Sequence, residues 1–93
     1  MSAAGERWKA AVRSIEDCVL CGKYGVQASH RNEGRGIGQK NADHLCSALC
    51  PECHHEIDNG KVLDQRERRE QWNLAYVRTI DALVRNGKIT VKS

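Results

Sequence analysis

Apolar residues recur at helical spacing near both ends of the chain and lose that period in the middle. Between Gly5 and Asp17, Trp8, Ala11, Val12 and Ile15 fall three or four residues apart, with Arg7, Lys9, Arg13 and Glu16 among them. This spacing predicts a short amphipathic helix that runs straight into Cys18. A second periodic stretch starts at Asp64. Asp64 followed three residues on by Glu67 has the form of a capping box. From there Trp72, Tyr76, Ile80, Leu83 and Val84 mark one face of a long helix that stops at Asn86-Gly87. That face reads as core, with a dimer contact as the alternative. The mixed charges of "RERRE", residues 66–70, read as a solvated first turn.

The centre is organised by turn residues instead. "VQASHR" (26–31) and "HLCSALC" (44–50) have the length and composition of short strands, and "KITVK" (88–92) reads as a third. The glycine-rich "NEGRGIGQKNAD" (32–43) between the first two reads as a loop. Pro51 suits the first position of a helix, "PECHHEID", with Asn59-Gly60 as its stop. The pattern predicts an α+β chain: helix, cysteine knuckle, two strands, short helix, long helix. With 93 residues, a single domain spanning 1–93 is expected.

Composition adds a constraint. Phe is absent and Met occurs once, so Leu, Ile, Val, Ala, two Trp and two Tyr must supply the core. So small and thinly supplied a core usually needs a staple. No stretch approaches the apolar length of a membrane span. The charged start "MSAAGERWKAAVRSIED" has no apolar segment of the kind that exports a protein. The expectation is a cytoplasmic protein without membrane contact or a small-molecule cofactor. In that compartment thiols stay reduced, and closely spaced cysteines more often bind metal than pair. The formal net charge of +3 says little about nucleic acid. Four thiolates around one Zn²⁺ would reduce it to about +1.

Cys18-x₂-Cys21 and Cys50-x₂-Cys53 supply two close pairs, the arrangement of a tetrahedral structural Zn²⁺ site. The second pair sits at a helix start, where the positive helix end favours thiolates. A redox CxxC and buried unligated cysteines are the competing readings. Cys46 is either a small core residue or a replacement ligand for Cys50.

Four cysteines saturate such an ion, which releases the histidines. His54 and Asp58, four apart on a short helix, project from one face about a turn apart. They suit either a surface hydrogen bond or a second divalent cation with open positions. His55 points away around the helix and reads as a bystander. His30, a lone histidine within the first strand, reads by itself as structural, and His44, before the apolar "LCSAL", reads either as an orienting residue or as the end of the loop.

Taken together, "CVLC", "ASHRN", "GRGIG" and "ADHLCSALCPECHHEID" resemble the HNH, or ββα-metal, endonucleases of the zinc-stapled treble-clef type. Within that family the pattern looks like the small prophage-encoded nucleases of the YbcO type. The resemblance covers residues 18–58 well and 64–93 loosely. It implies a zinc-stapled treble-clef core with an N-terminal helix and a long C-terminal helix. It also implies a phage or prophage origin and cation-dependent cleavage of DNA. On this resemblance His30 is the general base, and His54 with Asp58 holds the catalytic cation. His44 orients or helps, and Cys18, Cys21, Cys50 and Cys53 hold structural zinc.

The chain departs from the family pattern at Ser29, where a metal-binding Asp or His is frequent. The central Asn has no clean counterpart; His44 is one residue out of register, with Asp43 or Asn41 as substitutes. An Asp at 58 in place of a second histidine suits Mg²⁺ or Mn²⁺ better than Zn²⁺. Arg31, Arg35 and Lys40 would grip flanking phosphates. His30 and His54 are then expected to face one cleft, away from the four sulfurs. A noncatalytic zinc module that binds DNA or protein is the alternative.

Overall fold

A computed structural model describes residues 3–30, 43–60 and 62–90. The N-terminal helix α1 covers Ala3–Arg13, displaced toward the N-terminus from its expected bounds. It ends in a turn whose Ser14 amide donates to the carbonyls of Ala10 and Ala11. At Glu16 the backbone passes through a positive φ of 72°. An isolated bridge between Asp17 and Tyr24 then closes the base of the cysteine knuckle.

Strand β1 is Gln27–His30 and β2 is Cys46–Leu49, an antiparallel pair in the register Gln27↔Leu49, Ala28↔Ala48, Ser29↔Ser47, His30↔Cys46. Strand β1 starts one residue later than expected, and β2 covers less than 44–50. His44 and Leu45, read as the start of the second strand, instead fall with Asp43 in a single 3₁₀ turn. His30 is the last described residue of β1. The expected third strand does not form within Lys88–Thr90, and residues 91–93 lie outside the described part.

The pair would leave the outer edge of β2 with unpaired backbone groups. Ala48 resolves this. Its N–H donates to Thr79 Oγ1 at 3.1 Å, and its carbonyl accepts from Val19 N at 3.0 Å. One edge is thus closed by the long helix on one group and by the knuckle on the other.

Strand alternation divides the core between the two faces of this small sheet. On one face Cys46 and Ala48, with Ala28, pack against Val12 of α1 and Leu83. On the other, Leu49 packs with Cys18, Cys50, Ile57, Trp72 and Ala75. Cys46 is fully buried in the first cluster, which fits its reading as a core residue.

Helix α2, Pro51–Asn59, leaves β2 directly. Cys50 is its N-cap, with Sγ accepting from Cys53 N at 3.5 Å, and Pro51 is the first helical residue. Gly60 ends it. A Cβ at Gly60 would stand 2.5 Å from the Glu56 carbonyl oxygen, so only glycine fits there without moving backbone.

Helix α3, Gln65–Arg85, begins with both halves of the capping box in place. Asp64 Oδ1 accepts from Glu67 N at 2.8 Å, and Glu67 Oε1 accepts from Asp64 N at 3.1 Å. Its buried residues are Trp72, Ala75, Thr79 and Leu83. The expected stripe is rotated: Tyr76 and Ile80 are half-buried and Val84 is 52% exposed. Thr79 enters the core because the edge amide of Ala48 needs an acceptor, a demand that hydrophobic periodicity does not register. No helix among the described residues is long and apolar enough to cross a membrane.

Candidate metal centre

The knuckle 18–21 is a tight turn. Gly22 N donates to the Cys18 carbonyl at 2.8 Å, and Cys18 N donates to the Lys23 carbonyl at 2.9 Å. Gly22 takes a φ of +80°, a conformation that costs glycine nothing and any other residue strain. The turn aims the sulfurs of Cys18 and Cys21 at the start of α2, where Cys50 and Cys53 stand one helical turn apart. All four Sγ atoms lie within 4.8 Å of one another.

Cys21 and Cys50 sulfurs are 3.6 Å apart. A tetrahedral Zn²⁺ with Zn–S bonds of about 2.3 Å spaces its sulfurs about 3.8 Å apart, so the cluster has the dimensions of such a site. None of the five cysteines is in a disulfide. Among the described residues no other group of three or more His, Cys, Asp or Glu is placed to hold an ion. These four cysteines can bind a metal such as zinc. Cys46 is not among them.

The cluster is electrostatically frustrated as a set of bare thiols. Burial opposes ionisation of Cys18, yet the amides of Cys50, Cys21 and Leu20 and the Cys21 thiol outweigh it and bring Cys18 down to about 6. Burial pushes the Cys50 and Cys53 thiols up; the Cys21 and Cys18 thiols add to the rise at both, while the amide and thiol of Cys53 partly offset it at Cys50. Negative charge concentrated on Cys18 disfavours ionisation of its neighbours. A bound divalent cation reverses that repulsion and draws the remaining protons off.

Exposed Lys23 and Glu52 form an ion pair at 2.6 Å across the knuckle and the first turn of α2. The pair raises the Lys23 ammonium above its ordinary value and lowers the Glu52 carboxyl.

One turn along α2 is the second group of interest. His54 Nε2 lies 3.0 Å from Asp58 Oδ2. His54 Nδ1 lies 3.2 Å from Gln27 Oε1. The imidazole stands edge-on to Trp72, with ring centroids 6.0 Å apart. Asp58 is 11% exposed, and its Oδ1 is buried with no hydrogen-bond partner among the described residues. It borders a cavity of about 200 Å³ lined also by Ile57, Gln65, Arg68 and Trp72. Arg68 does not pair with the carboxylate. Its guanidinium donates to the carbonyls of Asp58 (3.1 Å), Leu63 (3.3 Å) and Gly60, clamping the end of α2 to the start of α3. The reading of 66–70 as a solvated turn therefore fails at Arg68.

The other histidines are elsewhere. His44 is exposed, edge-on to Trp8 at 6.4 Å, and its carbonyl accepts from Tyr76 Oη at 2.9 Å. Strand alternation assigns His30 to the face of Ala28 and Cys46, opposite Gln27 and Ser29. It also lies about 10 Å along the strand from Gln27, His54's partner. The described residues therefore do not bring His30 and His54 into one cleft.

Ser29, at the frequent ligand position, is buried, with a long hydroxyl bond to the Gln27 carbonyl (3.5 Å). His55 is exposed, consistent with a bystander. Arg31, Arg35, Lys40, Asn41 and the side chain of Asp43 lie outside the described residues.

Sequence reasoning missed Gln27, Arg68 and Thr79. Gln27 becomes visible only through its pairing with Leu49, the residue before Cys50. Arg68 becomes visible only through the path of the chain from α2 to α3.

No protein-family model, curated protein or solved structure matches this chain.

Proposed function

We propose that this chain is a metal-dependent DNA endonuclease built on a treble-clef, ββα-metal core. In this reading the four-cysteine cluster holds structural zinc, and a second, catalytic divalent cation binds at His54 and Asp58. The observation that carries the reading is Asp58 Oδ1: a carboxylate oxygen buried without a partner, one turn from a histidine whose Nε2 touches the same carboxylate. Leaving such an oxygen unsatisfied costs about 1–3 kcal/mol, and more for a charged group. A cation removes that cost. The Nε2–Oδ2 separation of 3.0 Å also fits two neighbouring ligands of an octahedral ion with bonds of about 2.1 Å.

The donor set, one imidazole and one carboxylate with positions left open, favours Mg²⁺ or Mn²⁺ over a closed structural ion. Such a cation polarises a phosphodiester and stabilises the departing 3′-oxygen. His54 and Asp58 orient the site through one helix face, backed by Trp72. His30 accepts the proton of the attacking water, a role in which a histidine works near neutral pH. His44 helps from the same end of the sheet. Arg31, Arg35 and Lys40 contribute positive charge for the flanking phosphates. The roles of His30, His44 and the basic residues rest on the resemblance alone. Since His30 and His54 stand on opposite faces of β1, the substrate must reach past the strand's end to meet both.

The test is plasmid cleavage by zinc-loaded protein with Mg²⁺ or Mn²⁺. Nicking that needs the cation, and that both His30→Ala and Asp58→Ala abolish with zinc content unchanged, is the expected result. Intact supercoiled, linear and single-stranded DNA throughout would falsify the catalytic reading.

A specific observation favours a second reading. The separation of His30 and His44 from His54 suits a noncatalytic zinc-stapled module that binds DNA or protein. That reading predicts retained DNA or protein binding, with no second cation and no effect of His30→Ala beyond stability.

A further inference from the structure

We propose that the outward face of helix α3 is a self-docking surface, on which a second copy of this chain packs antiparallel. The core takes Trp72, Ala75, Thr79 and Leu83 from this helix. Leu74, Val77 and Asp81 each follow one of those buried residues by two positions, a rotation of about 200° that carries them to the far side. Val84 joins them there. Leu74 is 39% exposed, Val77 65% and Val84 52%. Single exposed apolar side chains are common, but these three share one line along about three turns of helix.

Their spacing is that of a heptad seam. Glu70, Leu74, Val77, Asp81, Val84 and Lys88 fall alternately four and three residues apart, the repeat by which one helix stays in register with another. Lys88 stands just past the helix, held there by the turn at Gly87. Gly87 N donates to the Val84 carbonyl at 3.1 Å, and Lys88 N donates to the Leu83 carbonyl at 2.8 Å.

The charges along the seam choose the occupant and its direction. One end is acidic, at Glu70, and the other basic, at Lys88, and both are exposed. An antiparallel copy about a two-fold axis near residue 79 sets Glu70 against Lys88, Leu74 against Val84 and Val77 against Asp81, each pair occurring twice. A parallel copy sets Glu70 against Glu70 and Asp81 against Asp81, which repel. The seam is thus complementary to itself in one direction only, as an isologous interface requires. Glu70 and Asp81 also accept from Arg66 Nε (3.3 Å) and Arg85 Nε (2.8 Å) of their own helix. These exposed pairs are weak, and they border the seam without closing it. Asp81 interrupts the apolar line, a device that fixes register at a cost in affinity. Trp72 shares a buried cluster with Ile57 of α2 on the opposite side of α3, so a copy seated here leaves both groups of ligands on α2 uncovered.

The experiment is sedimentation equilibrium on the full, zinc-loaded chain between about 1 µM and 1 mM, a range of Kd that includes weak association. The expected mass rises with concentration from the 10.4 kDa of one chain toward twice that value. Val77→Glu keeps the mass of a single chain throughout. Asp81→Leu, which completes the apolar seam, tightens association about tenfold or more. Glu70→Lys and Lys88→Glu each weaken it a few-fold. The double reversal restores it, because opposite charges face each other again only when the helices run antiparallel. Melting temperature and zinc content check that each variant is folded.

A single-chain mass at every concentration overturns the proposal, as does assembly beyond a dimer. A dimer that Val77→Glu leaves intact uses another face and overturns it too. Unchanged affinity in Asp81→Leu, or a double reversal no tighter than the single ones, overturns the antiparallel register.

Discussion

Helix α2 carries two groups of potential ligands one turn apart, and they are built in opposite ways. The four cysteines converge from two short segments, close on one another within 4.8 Å, and leave no position open. His54 and Asp58 come from a single helix face, with one carboxylate oxygen paired and the other buried without a partner. A closed set of soft donors suits an ion whose work is to hold the chain together. An incomplete set of harder donors suits an ion that exchanges ligands with water and substrate. The contrast also concerns origin. The cysteine cluster is specified by spacing that any reader of the chain can see. The histidine–aspartate pair acquires its character from Gln27, Trp72 and Arg68, which reach it from β1 and α3.

The largest expected effect is loss of the first site. Removing its metal with a chelator, or replacing Cys50 by Ser, should abolish cooperative thermal unfolding. Apparent metal-binding energies of about 10–16 kcal/mol in comparable peptides exceed what so small a core supplies. Circular dichroism with metal analysis checks this, and a stable metal-free fold would remove the proposed difference between the sites.

The same site should be pH-sensitive. Cys50 and Cys53 sit above the ordinary thiol range and must shed protons to bind, so apparent zinc affinity rises with pH. Cys18 titrates at about 6 without metal, so affinity should fall more steeply once pH drops below that value. Competition titrations with a chelating dye between pH 5.5 and 8 measure the slope; a flat profile contradicts it.

Arg68→Ala should cost about 2 kcal/mol by denaturant unfolding of the metal-loaded protein, because a charged clamp on three carbonyls is lost. It should loosen the end of α2 that carries Asp58 while leaving zinc content untouched. Equal loss of zinc would mean that the two sites are one mechanical unit. Arg68→Lys should recover only part of the loss, since an ammonium lacks the planar fork.

The smallest effect belongs to the exposed Lys23–Glu52 pair. Lys23→Ala should leave both the melting temperature and zinc affinity unchanged within error. A measurable drop in zinc affinity would show that the surface pair helps set the cluster.

By itself the sequence determined the elements that depend on neighbours along the chain. The capping box at Asp64 and Glu67, Pro51 at the helix start, the two CxxC turns and the order of helices and strands all follow from residues a few positions apart. These are local hydrogen-bonding and steric rules, so they survive without knowledge of the fold. The ends of β1 and β2, and the 3₁₀ turn before β2, were less legible, since pairing register decides where a short strand stops.

Only the tertiary structure decided what depends on which surfaces meet. The edge amide of Ala48 meets Thr79 in the core, while Val84, read as part of the buried stripe, faces outward. The path from α2 to α3 made Arg68 a clamp. Strand parity separated His30 from His54, although sequence order had placed both in one motif. A chain of residues records which chemical groups are available. Their distances and partners are set by packing, where each buried polar group must find an acceptor or a donor at the place the whole fold provides.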